Sequence, residues 1–331
     1  MVSGTQVFII SQNLKRVKMK GEIEIGLTNP EETMPTRIWK IQTVRKIVQV
    51  LSLLLFVAVL FGLGPFPVVL PVVFTLGLQQ QAIGDALAML QVMLSDLVFP
   101  WIPLASFFIV AAFLGRALCG WVCPFGLVQD VIGYVKRKHL EVSERTHGWM
   151  VRIKYPILAF ILLVSGSFAA LLATGSSVGF SSALGVFAYA PFNALSPADT
   201  FFAVIPTGVF TLYSDVGSFV AGVLAVRPLL WARFVVLGLV LVLAAYVPRS
   251  WCRYLCPHGA FLAILSRFSF LGLQREPLKC AKAGCGDCVA ACPMKVPILD
   301  LPWEKFTHPE CVYCLKCVES CTTKAIKPKL P

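Results

Sequence analysis

All twelve cysteines of this chain fall into short-spaced groups. Two groups are Cys119-x3-Cys123-Pro124 and Cys252-x3-Cys256-Pro257. The other two are Cys280-x4-Cys285-x2-Cys288-x3-Cys292-Pro293 and Cys311-x2-Cys314-x2-Cys317-x3-Cys321. Twelve thiols spread over 331 residues are too dilute for a secreted disulfide scaffold, and their grouping reads as metal ligation. Thiolate is a soft, charged donor, which suits iron. A pair of four-cysteine zinc sites is the structural alternative.

The spacing of the last eight cysteines is that of a two-cluster bacterial ferredoxin. Short loops let three thiolates close around one cubane while the fourth comes from the other motif. Cys280, Cys285, Cys288 and Cys321 are therefore expected to hold one [4Fe-4S] cluster, and Cys311, Cys314, Cys317 and Cys292 the second. Two details depart from the usual pattern: four residues, 281–284, separate the first two cysteines, and Thr322 stands where a proline would follow Cys321. The ligand count is the same.

The two Cys-x3-Cys-Pro motifs belong to an internal repeat. Arg116-Ala-Leu-Cys119-Gly-Trp-Val-Cys123-Pro124-Phe-Gly126 recurs as Arg249-Ser-Trp-Cys252-Arg-Tyr-Leu-Cys256-Pro257-His-Gly259. Four thiols at repeat-related sites have the chemistry for a third iron–sulfur cluster or another soft metal; a reversible dithiol switch and plain turn-forming residues remain open. Arg116 and Arg249 are candidates to hold the charge of a cluster or a quinone oxygen, against the simpler reading of snorkelling to lipid headgroups. His258 stands where the first repeat has Phe125 and is a candidate proton acceptor for quinol oxidation, since imidazole titrates near neutrality.

The elements that position these groups are apolar. With 57% hydrophobic and only 14% charged residues and a mean hydropathy of +0.77, the chain is no ordinary soluble domain. Stretches of about 20 apolar residues predict four spans, near 45–63, 98–118, 153–173 and 231–249. Two further apolar stretches, 65–94 and 201–226, are interrupted by proline and glycine and read as re-entrant or interfacial helices on the outer side. Lysine and arginine number eight in 1–46, six in 119–154 and twelve in 249–331, against none in 64–97 and Arg227 alone in 174–230. The positive-inside rule therefore puts the N-terminus and the cysteine-rich tail in the cytoplasm. The formal charge of +12 marks orientation and contact with anionic lipid; no nucleic-acid motif accompanies it.

The expected architecture is a mainly α membrane protein. A four-helix transmembrane bundle with a parallel internal repeat (45–268) precedes a cytoplasmic double [4Fe-4S] ferredoxin-like α+β domain (269–331). Residues 1–44 read as a flexible cytoplasmic extension, unless translation starts at Met34. No Cys-x-x-Cys-His, Gly-x-Gly-x-x-Gly unit or P-loop occurs, which argues against c-type haem, nicotinamide or flavin nucleotides and nucleotide hydrolysis. The four histidines lie outside the spans, which argues against b-type haem between them.

The joint pattern of spans, paired Cys-x3-Cys-Pro motifs and a C-terminal double ferredoxin motif resembles the NapH/NosR-type membrane polyferredoxins from about residue 40 onward. The large external flavin-binding domain of the NosR members is absent, so the shorter NapH-like architecture is the nearer match. The resemblance implies a cytoplasmic-membrane protein exchanging electrons between the quinone pool and a partner oxidoreductase, as a quinol dehydrogenase subunit. It implies Cys119, Cys123, Cys252 and Cys256 as the paired family motif and the later eight cysteines as cluster ligands. An assembly factor that supplies electrons to a metal centre or thiol of a client enzyme is the alternative.

Overall fold

The computed structural model describes residues 38–57, 68–74, 83–135, 140, 142–206, 208–209, 228–280 and 285–330. The expected extension, as far as residue 37, lies outside them, as do the end of the first predicted span and most of 201–226. Trp39–Pro331 forms one compact unit.

Helix α1 (Ile38–Phe56) runs through a stretch free of glycine and proline, where nothing interrupts the backbone ladder. A short parallel pair, β1 (Val69–Leu70) and β2 (Gly84–Asp85), leads into α2 (Ala86–Ser95). Asp85 caps α2 by accepting from Leu87 N and Ala88 N, which satisfies amides that have no partner within the helix. Helix α3 (Trp101–Leu114) begins after Pro100 and stops at Gly115, where φ is 59°. Helix α4 (Ala117–Trp121) carries Cys119, and α5 (Pro124–Val135) starts on a proline, whose missing N–H costs nothing at a first turn. Helices α6 (Glu144–Arg152) and α7 (Lys154–Ala173) follow, then a series of short helices through 177–204, then α8 (Pro228–Tyr246). A π-helical turn, Trp251–Leu255, carries Cys252, and α9 (Pro257–Leu265) repeats the proline start of α5.

By length and composition, two helical stretches are able to cross a membrane: Glu144–Ala173 and Leu229–Tyr246. They occupy the third and fourth predicted spans. The second predicted span is shorter than hydropathy implies, because Gly115 ends α3 after 14 residues. Residues 45–56 of the first lie on α1, a 19-residue helix that carries Lys40, Arg45 and Lys46. The helices turn apolar side chains outward: Ile47, Leu51 and Leu54 on α1, Phe108, Ile109 and Phe113 on α3, Phe160 and Leu163 on α7, Val235, Leu239 and Val242 on α8. Arg45 and Gln49 of α1, by contrast, are buried.

The repeat governs the packing. The helix before each motif packs against the helix after the other: α3 on α9, and α8 on α5. Such crossed packing brings the two motifs together.

The C-terminal part is built on an antiparallel pair, β3 (Gly272–Arg275) and β4 (Ile326–Lys329), registered Gly272 to Lys329 and Arg275 to Ile326. Two single-turn helices, α10 (Asp287–Ala290) and α11 (Lys316–Glu319), carry Cys288 and Cys317. Buried Arg275 ties the intervening loop down, donating to the carbonyls of Ile298, Leu299 and Leu301. Backbone hydrogen bonds from Phe270 N to Ala112 O (2.7 Å) and from Leu271 N to Phe113 O (3.2 Å) join this part to the end of α3.

Candidate redox site

Cys119, Cys123, Cys252 and Cys256 line one small enclosed cavity together with His258. All four thiols are buried. Cys256 caps α9, its sulfur accepting from Gly259 N at 3.3 Å. Cys252 accepts from Gln129 Nε2 at 3.1 Å, while Gln129 Oε1 takes the amide of Trp251. Burial pushes the Cys123 thiol well above its ordinary range, and the neighbouring sulfurs of Cys252 and Cys119 push the same way. Such thiols are inert unless something stabilises the thiolate, which is what a bound soft metal does.

Arg116 and Arg249 do not snorkel to a surface; both are fully buried. Each reaches across the repeat to the backbone carbonyl of the other copy's first cysteine, Arg116 Nη2 to Cys252 O (3.1 Å) and Arg249 Nη1 to Cys119 O (3.4 Å). Each also has a carboxylate. Arg116 pairs with Glu310 at 2.8 Å, which Lys154 approaches at 2.5 Å. Arg249 holds both oxygens of Asp130 at 2.8 Å, and Asp130 pairs in addition with Arg45 and with Lys46. Burial raises the carboxyl pKa of Asp130 and of Glu310, but the surrounding cations outweigh it and hold both below the usual carboxylate range. Spacing alone did not reveal Glu310, Asp130, Lys154 or Gln129 as partners of the motif.

His258 is completely buried between Phe107 and Phe192. Its Nε2 lies 2.7 Å from Asp85 Oδ1. Asp85 also accepts from the amides of Leu87, Ala88 and Phe74, so the carboxylate is the acceptor and Nε2 donates. Nδ1 has no hydrogen-bond partner, which leaves a ring nitrogen free as an acceptor in the neutral imidazole. Asp85 was missed from sequence. A signal existed, for it is the one charged residue in 64–94, and a lone carboxylate in an apolar stretch is seldom idle.

The C-terminal thiols fall into two neighbourhoods. Cys292, Cys311, Cys314 and Cys317 line a second enclosed cavity. Cys288 interacts electrostatically with Cys285, Cys321 and Cys280. Burial pushes the Cys311 thiol up to about 12 and raises Cys317 further. For Cys321 burial is outweighed by hydrogen bonds from Thr323, Ala325 and Ile326, and its pKa falls. Among the described residues no group of three or more His, Cys, Asp or Glu side chains is placed to hold a metal ion. Four thiols around a cavity supply the donor set of an iron–sulfur cluster, and the amides of Val296 and Ala325 directed at Cys292 and Cys321 (3.5 and 3.2 Å) are of the kind that tune one. Tyr313 and Leu315, which flank Cys314, have left-handed φ angles of 46° and 59°, a local strain that wraps the loop around the cavity.

The two cavities adjoin. A Cβ on Gly120, inside the first Cys-x3-Cys motif, would lie 2.2 Å from Val312 O, so the two backbones touch. Trp121 Nε1 donates to Tyr313 O (2.9 Å), Gln42 Nε2 to Cys314 O (2.9 Å) and Gln49 Nε2 to Gly120 O (3.0 Å). Gly120→Ala is expected to cost about 1–3 kcal/mol through overpacking. A lowered thermal midpoint in detergent and faster protease cleavage around 311–317 would register it; unchanged values would show that the loop yields freely.

Buried cysteines grouped around cavities on a helical scaffold have the donor chemistry to hold iron–sulfur clusters. The family described as 4Fe-4S binding domain matches residues 97–142 and 229–272, the two repeats. The chain is 25% identical over 222 residues to the putative electron transport protein YccM of Escherichia coli (strain K12), covering 66% of this chain and 52% of YccM. It is 25% identical over 221 residues to the ferredoxin-type protein NapH of Haemophilus influenzae, covering 64% and 61%. To the regulatory protein NosR of Stutzerimonas stutzeri it is 26% identical over 208 residues, 61% of this chain and 23% of NosR. No solved structure matches it. The chain is thus similar to the ferredoxin-type proteins of the NapH and NosR kind. It spans about half the length of YccM.

Proposed function

We propose that this protein is a membrane-bound electron-transfer subunit that oxidises quinol beside the paired motifs and passes the electrons to a partner oxidoreductase. The observation that carries the reading is the meeting of four repeat thiols and His258 in one cavity, in backbone contact through Gly120 with the loop of Cys311 and Cys314. In this reading residues 45–268 form a four-helix membrane domain, supported by the outward apolar faces and the inward Arg45 and Gln49. Residues 269–331 form the cytoplasmic electron-transfer domain. Cys280, Cys285, Cys288 and Cys321 hold one cluster and Cys311, Cys314, Cys317 and Cys292 the other, with the repeat thiols as a further redox centre. Four-iron clusters bound there would supply one-electron transfer, which suits division of a two-electron donor.

The chain's own residues do the rest. Quinol gives up two electrons and two protons. The electrons pass one at a time to the iron–sulfur centres; one proton leaves directly to water, and the other is relayed inward to His258 Nδ1, with Asp85 holding the ring and stabilising the imidazolium through Nε2. Arg116 and Arg249 clamp the two motifs at fixed separation.

The test is anaerobic reduction of the purified, oxidised protein by a menaquinol analogue, followed by electron paramagnetic resonance and visible bleaching. Reduction abolished by a quinone-site inhibitor, and slowed by at least tenfold in His258→Phe, is the expected result. Failure of quinol alongside ready reduction by a low-potential cytoplasmic donor would refute the reading in favour of an assembly factor serving a client enzyme.

A further inference from the structure

Gly120 and Arg253 occupy equivalent positions, each directly after the first cysteine of its repeat. Gly120 allows backbone contact with Val312. Arg253 lines a cleft of about 1390 Å³ together with Cys292. Its side chain is buried at 2% exposure. Nη2 lies 3.1 Å from His147 Nδ1 and the guanidinium sits 5.0 Å from the Tyr254 ring centre, while Nε has no partner. Among the described residues no carboxylate forms an ion pair with it. The Glu310 charge it feels is already shared by Arg116 and Lys154. A buried cation without a counter-ion is strongly unfavourable, and the side chains that bond Arg253, His147 and Tyr254, supply no anion. Burial raises the Cys292 thiol, with the Arg253 charge pulling against it, so the two groups are within electrostatic reach.

We propose that Arg253 is the counter-charge of the cluster held by Cys292, Cys311, Cys314 and Cys317, and raises the reduction potential of that centre alone. The inference rests on the ligand assignment above and not on quinol as donor. A cluster on four thiolates is anionic and gains one further negative charge on reduction; a fixed cation in a poorly polarisable surrounding favours the reduced form. The equivalent glycine shows why the repeats differ here: one position needs close approach and the other needs charge.

The experiment is a mediated redox titration of the full-length protein in detergent, read by electron paramagnetic resonance, with iron counted on the same samples. In Arg253→Gln one cluster midpoint moves to lower potential and the remaining signals stay put, and Arg253→Lys restores most of the shift. His147→Glu sets a carboxylate against the guanidinium without removing it and moves the same midpoint in the same direction, so it serves if Arg253→Gln does not assemble. Wild-type iron below about eight atoms per chain would remove the ligand assignment itself. With about eight irons present, midpoints that stay fixed in both variants, or that all move together, overturn the role of Arg253.

Discussion

Cys317→Ser is expected to lower the iron content from about eight atoms per chain to about four, the count following from two four-iron cubanes. Cys317 is buried beside Cys311, Cys314 and Cys292, and a serine hydroxyl is a harder and far weaker donor than thiolate. The loss should be selective, because Cys317 lines the cavity of Cys292, Cys311 and Cys314, which Cys285, Cys288 and Cys321 do not line. Iron and sulfide analysis, with one of two cluster signals disappearing, would bear this out; iron unchanged at the wild-type level would remove Cys317 from the ligand set. Cys119→Ser provides the companion measurement. Wild-type iron of about eight that stays the same in Cys119→Ser would show that the repeat thiols hold no third iron cluster and act as thiols.

The largest effect on stability is expected from Asp130→Asn. One carboxylate serves Arg249, Arg45 and Lys46, and two of those cations are fully buried. Removing one partner of a buried pair costs about 3–5 kcal/mol, and here three cations lose their anion at once. Thermal unfolding in detergent should show a markedly lower midpoint, with the repeat loosened at Arg249. A midpoint equal to wild type would mean that water or lipid headgroups replace the carboxylate. The pH dependence follows in sign. Since the Asp130 carboxyl is held below its ordinary range despite burial, its stabilising effect is complete above the unfolded value of about 3.9. It is lost only as the pH falls through the lower folded value, so between pH 5 and 8 it should contribute no slope.

Several features of the site were legible without coordinates because they are written at short range. The short spacing of Cys311-x2-Cys314-x2-Cys317 keeps those thiols at one cavity, and two copies of one motif with the same orientation meet at another. The arginines three residues before each first cysteine were also visible, but not their roles. From sequence Arg116 and Arg249 are candidates either for lipid headgroups or for a cluster or quinone oxygen; the guanidinium groups bind Glu310, Asp130 and carbonyls across the repeat. Hydropathy overran the second span because an averaged window does not register that Gly115 turns the chain.

By itself the sequence determined the donor chemistry: cysteines in two ferredoxin-like runs, a duplicated motif and an apolar scaffold, all properties of residue type and near-neighbour spacing. Only the tertiary structure decided which groups face one another. Asp85 reaches His258 across 173 positions and Arg116 reaches Glu310 across 194. Gly120 meets Val312, and Arg253 shares a cleft with Cys292. Such pairings are set by how α3, α5, α8 and α9 cross, and a buried charge takes whichever partner that packing delivers, so no local pattern records it.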